Sequence, residues 1–117
     1  MKTLFVVDDS DTNLIMAEEA LEDEYNVMTV PSAAKMFSLL EKKTPDLILL
    51  DIEMPEMNGF EALEKLKAGN WKDVPVIFLT GTTNASIEQQ SSELGAVGLI
   101  TKPFSASELI NCIKTHI

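Results

Sequence analysis

The 117-residue chain carries 9 Lys, no Arg and 19 acidic residues, for a net charge of −10, and 45% of its residues are hydrophobic. So acidic a chain has nothing with which to neutralise a row of nucleic-acid phosphates or an anionic membrane surface, which excludes both as partners, and its hydrophobic fraction excludes disorder. With one Cys and one His, an internal disulfide, a thiolate or imidazole metal cluster and Ser-His catalysis all lack material.

The elements alternate along the chain. "TLFVV" (Thr3 to Val7) is a short β-branched strand that stops at Asp8 and Asp9. "NLIMAEEALEDE" follows as a helix, with Asp11 or Thr12 as N-cap and Leu14, Ala17 and Leu21 on one face. "NVMTV" (Asn26 to Val30) is a second strand, and Pro31-Ser32 opens a helix to about Lys43 with Ala33, Phe37 and Leu40 inward. "DLILL" (Asp46 to Leu50) is apolar on both faces, as a strand buried between two helix layers must be, and it stops at Asp51. Pro55 and Gly59 punctuate the loop "IEMPEMNG". A helix from about Phe60 to Ala68 stops at Gly69, with Phe60, Leu63 and Leu66 inward. "VPVIFLT" (Val74 to Thr80) is the fourth strand. "GTTNAS" then turns into a thinly apolar helix anchored by Ile87 and Leu94. "AVGLIT" (Ala96 to Thr101) is the fifth strand. "KPF" connects tightly to a last helix capped by Ser105, with Ala106, Leu109, Ile110, Ile113 and Ile117 on one side.

Five βα units predict an α/β fold, a doubly wound five-stranded parallel sheet with right-handed crossovers. A single domain over residues 1–117 is expected, of a size that buries about two-thirds of the unfolded surface. The longest clean apolar runs, such as Leu4 to Val7 and Leu47 to Leu50, are too short to cross a membrane. The start "MKTLFVVDD" is too short for a signal peptide. A cytoplasmic location is the expectation.

The chemistry lies at the strand ends. In a parallel sheet every C-terminal strand end lies on one edge, and ligands bind there, where strand order reverses. The flavodoxin-like order 2-1-3-4-5 puts that reversal between strands one and three, the strands that run into Asp8-Asp9 and Asp51. Thr80 and Lys102 come to the same edge. Three carboxylates so placed repel one another unless compensated. Lys102 offsets one charge, and a hard dication such as Mg²⁺ suits the rest. A metal, an ammonium and a carboxylate nucleophile together are the equipment of phosphoryl transfer through an aspartyl-phosphate. Asp51, alone on the middle strand, is the nucleophile to expect.

"FVVDDS", "LILLDIEMPEMNGFE", "VIFLTG" and "ITKPF" resemble the response regulator receiver domain, in order and at that family's spacing, over essentially the whole chain. The resemblance implies a phosphorylation-activated switch of a two-component system or phosphorelay, not a turnover enzyme. In it, Asp51 accepts a phosphoryl group from a histidine kinase or histidine phosphotransfer protein. Asp9 ligates Mg²⁺ directly, Asp8 mainly through water, and Glu53 through its backbone carbonyl. Thr80 hydrogen-bonds a phosphoryl oxygen, Lys102 pairs with the phosphoryl group, and the Lys102–Pro103 bond is cis. A downstream protein binds the Ala85–Ile117 face. One departure is Leu99, three residues before the lysine, where the family usually has an aromatic switch residue. The loop from Thr80 to Thr83 is therefore expected to carry more of the signal. Glu53 adds a side-chain charge at the pocket mouth.

Three other readings compete. A phosphohydrolase of the haloacid dehalogenase class wants a second Asp where this chain has Glu53, and usually a cap domain. A flavodoxin-like cofactor carrier would present "DDSD" to a phosphate and repel it. A pseudo-receiver would dock without accepting phosphate.

Overall fold

A computed structural model describes residues Met1–Ile117. Strands and helices alternate as β1 (Thr3–Val7), α1 (Asp11–Leu21), β2 (Asn26–Val30), α2 (Ala33–Leu40), β3 (Leu47–Asp51), α3 (Gly59–Ala68), β4 (Val76–Thr80), α4 (Ala85–Glu93), β5 (Gly98–Thr101) and α5 (Ala106–His116). The sheet order is β2-β1-β3-β4-β5, with every neighbouring pair parallel. Both the fold class and the strand order are those expected.

The three central strands, β1, β3 and β4, are buried at every residue, because helices cover both faces of the sheet. Side chains alternate across it. Phe5, Val7, Ile48, Leu50, Val76 and Phe78 join Met36 of α2 and Leu63 of α3 in one core. Leu4, Val6, Leu47, Leu49, Ile77 and Leu79 join Leu21 of α1 and Leu109 and Ile113 of α5 in the other. No helix is long and apolar enough to cross a membrane.

Several boundaries differ from the sequence expectation, each for a local reason. α1 is capped by Ser10, whose hydroxyl accepts the Asn13 N–H at 3.4 Å, rather than by Asp11 or Thr12. β3 begins at Leu47, because Asp46 turns its carboxylate onto the Thr3 N–H at 2.7 Å instead of extending the strand. The shift makes Asp51 the last residue of β3 rather than the first after it. β4 begins at Val76, and Ala96 and Val97 precede β5. Ala106 is exposed, so the inward face of α5 is narrower than expected. In α4, Ile87 and Leu94 are only half-buried, and Ser91 is the one buried residue. Little apolar surface therefore ties α4 down.

Candidate active site

Asp8 lies just beyond β1 and is fully buried. One of its oxygens accepts the Ser10 N–H at 2.9 Å; the other accepts the Asn13 amide at 3.3 Å and the Lys102 ammonium at 3.2 Å. Asp9, beside it, is exposed. Asp51 is 1% exposed. Its Oδ1 accepts the Glu53 N–H at 3.2 Å and the Lys102 ammonium at 2.9 Å, while no protein group donates to Oδ2. Carboxylate oxygens of Asp8, Asp9 and Asp51 lie within 4.8 Å of one another. Asp8, Asp9, Asp51 and Lys102 are thus brought together as expected.

Lys102 reaches this crevice because its own N–H bonds the Thr80 carbonyl at 2.7 Å as β5 ends. The Lys102–Pro103 bond is cis. Burial alone would lower the ammonium's pKa, but the Asp51 hydrogen bond and the charges of Asp8 and Asp51 outweigh it and hold the group above its ordinary 10.5. Asp51 moves the other way for an acid. Burial pushes its carboxyl from 3.8 to about 7; Lys102 pulls it down, and the charges of Asp8 and Glu53 push it up. With one ammonium against three carboxylates, the rim suits a further cation. Hard oxygen donors at the C-terminal ends of two adjacent strands, β1 and β3, fit a divalent ion such as Mg²⁺.

Thr80 and Glu53 make a second layer at the mouth. The Thr80 hydroxyl is 2.9 Å from Glu53 Oε1 and 2.8 Å from the Thr82 carbonyl, and it accepts the Thr82 N–H at 3.1 Å. The Gly81 N–H donates to the same Glu53 oxygen at 2.9 Å. Thr83 and Thr101 join by a hydroxyl–hydroxyl bond, tying the β4–α4 loop to the end of β5.

Ser10 and Asn13 were not expected at the site, and Gly81, expected only as a small residue of the Thr80–Thr83 loop, is a backbone donor there. Helical side chains lean toward their N-terminus, so a polar residue in the first turn of α1 was the available signal for Asn13. The backbone N–H groups of Ser10 and Gly81 leave no mark in residue type.

Gly59 fixes the height of Asp51. Its N–H bonds the Ile52 carbonyl at 2.9 Å, and a Cβ there would stand 2.5 Å from the Asp51 carbonyl oxygen and 2.8 Å from the Ile52 Cα. Backbone cannot yield as a side-chain tip can. Gly59→Ala is therefore expected to cost about 1–3 kcal/mol by overpacking and to shift the Asp51 amide resonance. Urea unfolding within 0.5 kcal/mol of wild type, roughly the scatter of a neutral surface change, would show that the contact has no such role.

Known proteins place this geometry. Residues 4–114 match the response regulator receiver domain. The chain is similar to chemotaxis protein CheY4 of Vibrio cholerae, with a TM-score of 0.95 and 28% identity over 100% of this chain and 99% of that one. It is 28% identical to sporulation initiation phosphotransferase F of Bacillus subtilis, over 99% of this chain and 93% of that protein. It is 38% identical over 116 residues to a probable cyclic di-GMP phosphodiesterase of Vibrio cholerae, but spans only 26% of that larger protein. The matched stretch contains the two buried aspartates, the bridging lysine and the strand order that assembles them, and on this ground the chain belongs to the response regulator receiver domain family.

Proposed function

We propose that Asp51 is the phosphoacceptor through which this receiver works as a phosphorylation-activated switch of a two-component or phosphorelay system. The supporting observation is the Lys102 ammonium held between the buried carboxylates of Asp8 and Asp51, at 3.2 and 2.9 Å. Lys102 and the Glu53 N–H hold Asp51 Oδ1, which leaves Oδ2 free to attack. In transfer from a phosphohistidine, Oδ2 gives an electron pair to phosphorus, the P–N bond breaks, and its electrons stay on the imidazole nitrogen. The donor is a histidine kinase or histidine phosphotransfer protein, and the name of the sporulation relative supports the second. Asp9 and Asp8, with the Asp51 carboxylate and the Glu53 carbonyl, would hold Mg²⁺. Its charge would keep Asp51 ionised near neutral pH and stabilise the phosphoryl oxygens.

The phosphoryl group adds about −1.5 to −2 charge at the mouth. Inverting a 1:99 population takes about 5.5 kcal/mol of differential binding. Charge-assisted bonds are worth about 1.5–3 kcal/mol each, so those from Lys102, Thr80 and the Gly81 N–H together reach that figure before the release of Thr80 and Gly81 from Glu53 is subtracted. The Thr83–Thr101 link carries a change at Thr80 toward β5 and α4. Leu99, half-buried against the core, replaces an aromatic switch. The Ala85–Ile117 face meets the downstream protein. One receiver unit spans residues 1–117 and works in the cytoplasm, and phosphate is lost slowly by hydrolysis at the same site.

Intact mass spectrometry after acetyl phosphate and Mg²⁺ tests this reading. A single adduct of about 80 Da is expected on wild type and none on Asp51→Asn, as carboxyl phosphate chemistry requires. Steady hydrolysis of a phosphomonoester without a trapped adduct would favour the phosphohydrolase instead.

A further inference from the structure

Glu53 is exposed, yet its carboxylate is not free in solvent. Its backbone N–H is fixed on Asp51 Oδ1 at 3.2 Å, and its side chain folds back so that Oε1 meets both the Thr80 hydroxyl and the Gly81 N–H at 2.9 Å. The Cβ position of Gly81 lies 3.7 Å from that same oxygen. An anionic oxygen thus occupies two convergent donors at the mouth of the Asp51 pocket, one from the end of β4 and one from the residue after it. These are the donors that a phosphoryl group on Asp51 would use. The Thr80 hydroxyl has one proton and already has a second acceptor in the Thr82 carbonyl at 2.8 Å, whereas the Gly81 N–H bonds Glu53 alone.

We propose that the Glu53 carboxylate is a tethered stand-in for the phosphoryl group: it occupies the Thr80 and Gly81 donors while Asp51 is unmodified and must leave them when Asp51 is phosphorylated. Two anions cannot share one N–H without repulsion, so a phosphoryl group has to displace Glu53, and the affinity of the site for it is lowered by that exchange. The chain thereby holds the Thr80–Gly81 loop in one arrangement until phosphorylation releases it. Glu53 is a positioning residue here, acting through Thr80 and Gly81. The inference rests on Asp51 as the phosphoacceptor.

Beryllofluoride, a tetrahedral phosphoryl analogue, is the probe. It is titrated with Mg²⁺ into wild type, Glu53→Gln and Glu53→Ala, with uptake followed by ¹⁹F resonances and the Gly81 amide followed by ¹⁵N correlation spectra. Glu53 is exposed, so both variants are expected to fold as wild type does. Glu53→Ala is expected to bind roughly tenfold more tightly, the equivalent of one charge-assisted hydrogen bond no longer broken, with Glu53→Gln between. The Gly81 amide of ligand-free Glu53→Ala is expected to move from its wild-type position. Equal affinity for wild type and Glu53→Ala within twofold, or an unmoved Gly81 amide, overturns the role of Glu53 and leaves Asp51 as acceptor untouched. No uptake by any of the three proteins removes the phosphoacceptor and the stand-in together.

Discussion

Replacing Lys102 with Met is expected to destabilise the metal-free protein by about 3 kcal/mol at pH 8, the lower end of the cost of breaking a buried ion pair, and by much less at pH 5. Lys102 is the cation between two carboxylates that are 0% and 1% exposed. Without it, two like charges share a crevice in which solvent cannot screen them. Acid relieves the strain: Asp51 titrates at about 7 even with the lowering influence of Lys102 beside it, and without that ammonium it takes up its proton more readily still, so one buried charge disappears. Methionine preserves the length of the aliphatic stem, so lost packing contributes little. Urea unfolding in EDTA at both pH values measures the effect. An equal loss at pH 8 and pH 5 would mean that Lys102 stabilises by packing rather than by charge.

Asp51→Asn has the opposite sign. In the metal-free protein the folded-state pKa of Asp51, about 7, lies above its ordinary 3.8. Between those values the native state binds more protons than the unfolded state, so stability falls as pH rises through that window. Above it, the ionised carboxylate is a standing cost of the fold, and its stabilising protonated form is present only at lower pH. An amide of the same shape carries no such cost. Asp51→Asn should therefore raise stability at pH 8 by on the order of 2 kcal/mol, discounted from the full shift because the Lys102 bond is weakened. It should also flatten the decline between pH 5 and pH 8. For a chain of this size the gain is roughly 4–8 °C in thermal midpoint, measurable by scanning calorimetry in EDTA. A lower midpoint for the variant at pH 8 would show that Asp51 is stabilised by its partners rather than strained by burial. Addition of Mg²⁺ should stabilise wild type more than Asp51→Asn, since the amide contributes no charge to the cation.

Most of this architecture could be read from residues because two signals coincide. Buried parallel strands write themselves as "FVV", "LILL" and "VIFL", and chemistry at the sheet edge is written as Asp8-Asp9, Asp51 and Thr80 directly after those runs, with Lys102 directly after "GLIT" of β5. Topology then does the rest, since parallel strands bring their ends to one rim whatever the sequence distance; Lys102 is 94 residues from Asp8 and still 3.2 Å away. What was not legible depended on single hydrogen bonds. Ser10 competes with Asp11 and Thr12 for the cap of α1, and all three are good caps by type, so only geometry decides. The one-residue shift of β3 follows from the side chain of Asp46 finding the Thr3 N–H, a contact across 43 residues that no local pattern announces. Glu53 was visible as a charge at the mouth, but its grip on Thr80 and Gly81 depends on how β3 and β4 sit side by side.

Asp51, and no other carboxylate of this acidic chain, is expected to be phosphorylated. The direct measurement is chemical: treat the protein with acetyl phosphate and Mg²⁺, reduce the acyl phosphate with borohydride, and map the peptides by mass spectrometry. Conversion of residue 51 to homoserine, alone and only when Mg²⁺ is supplied, is the predicted result. Homoserine at position 8, 9 or 53 instead, or none anywhere, would contradict it.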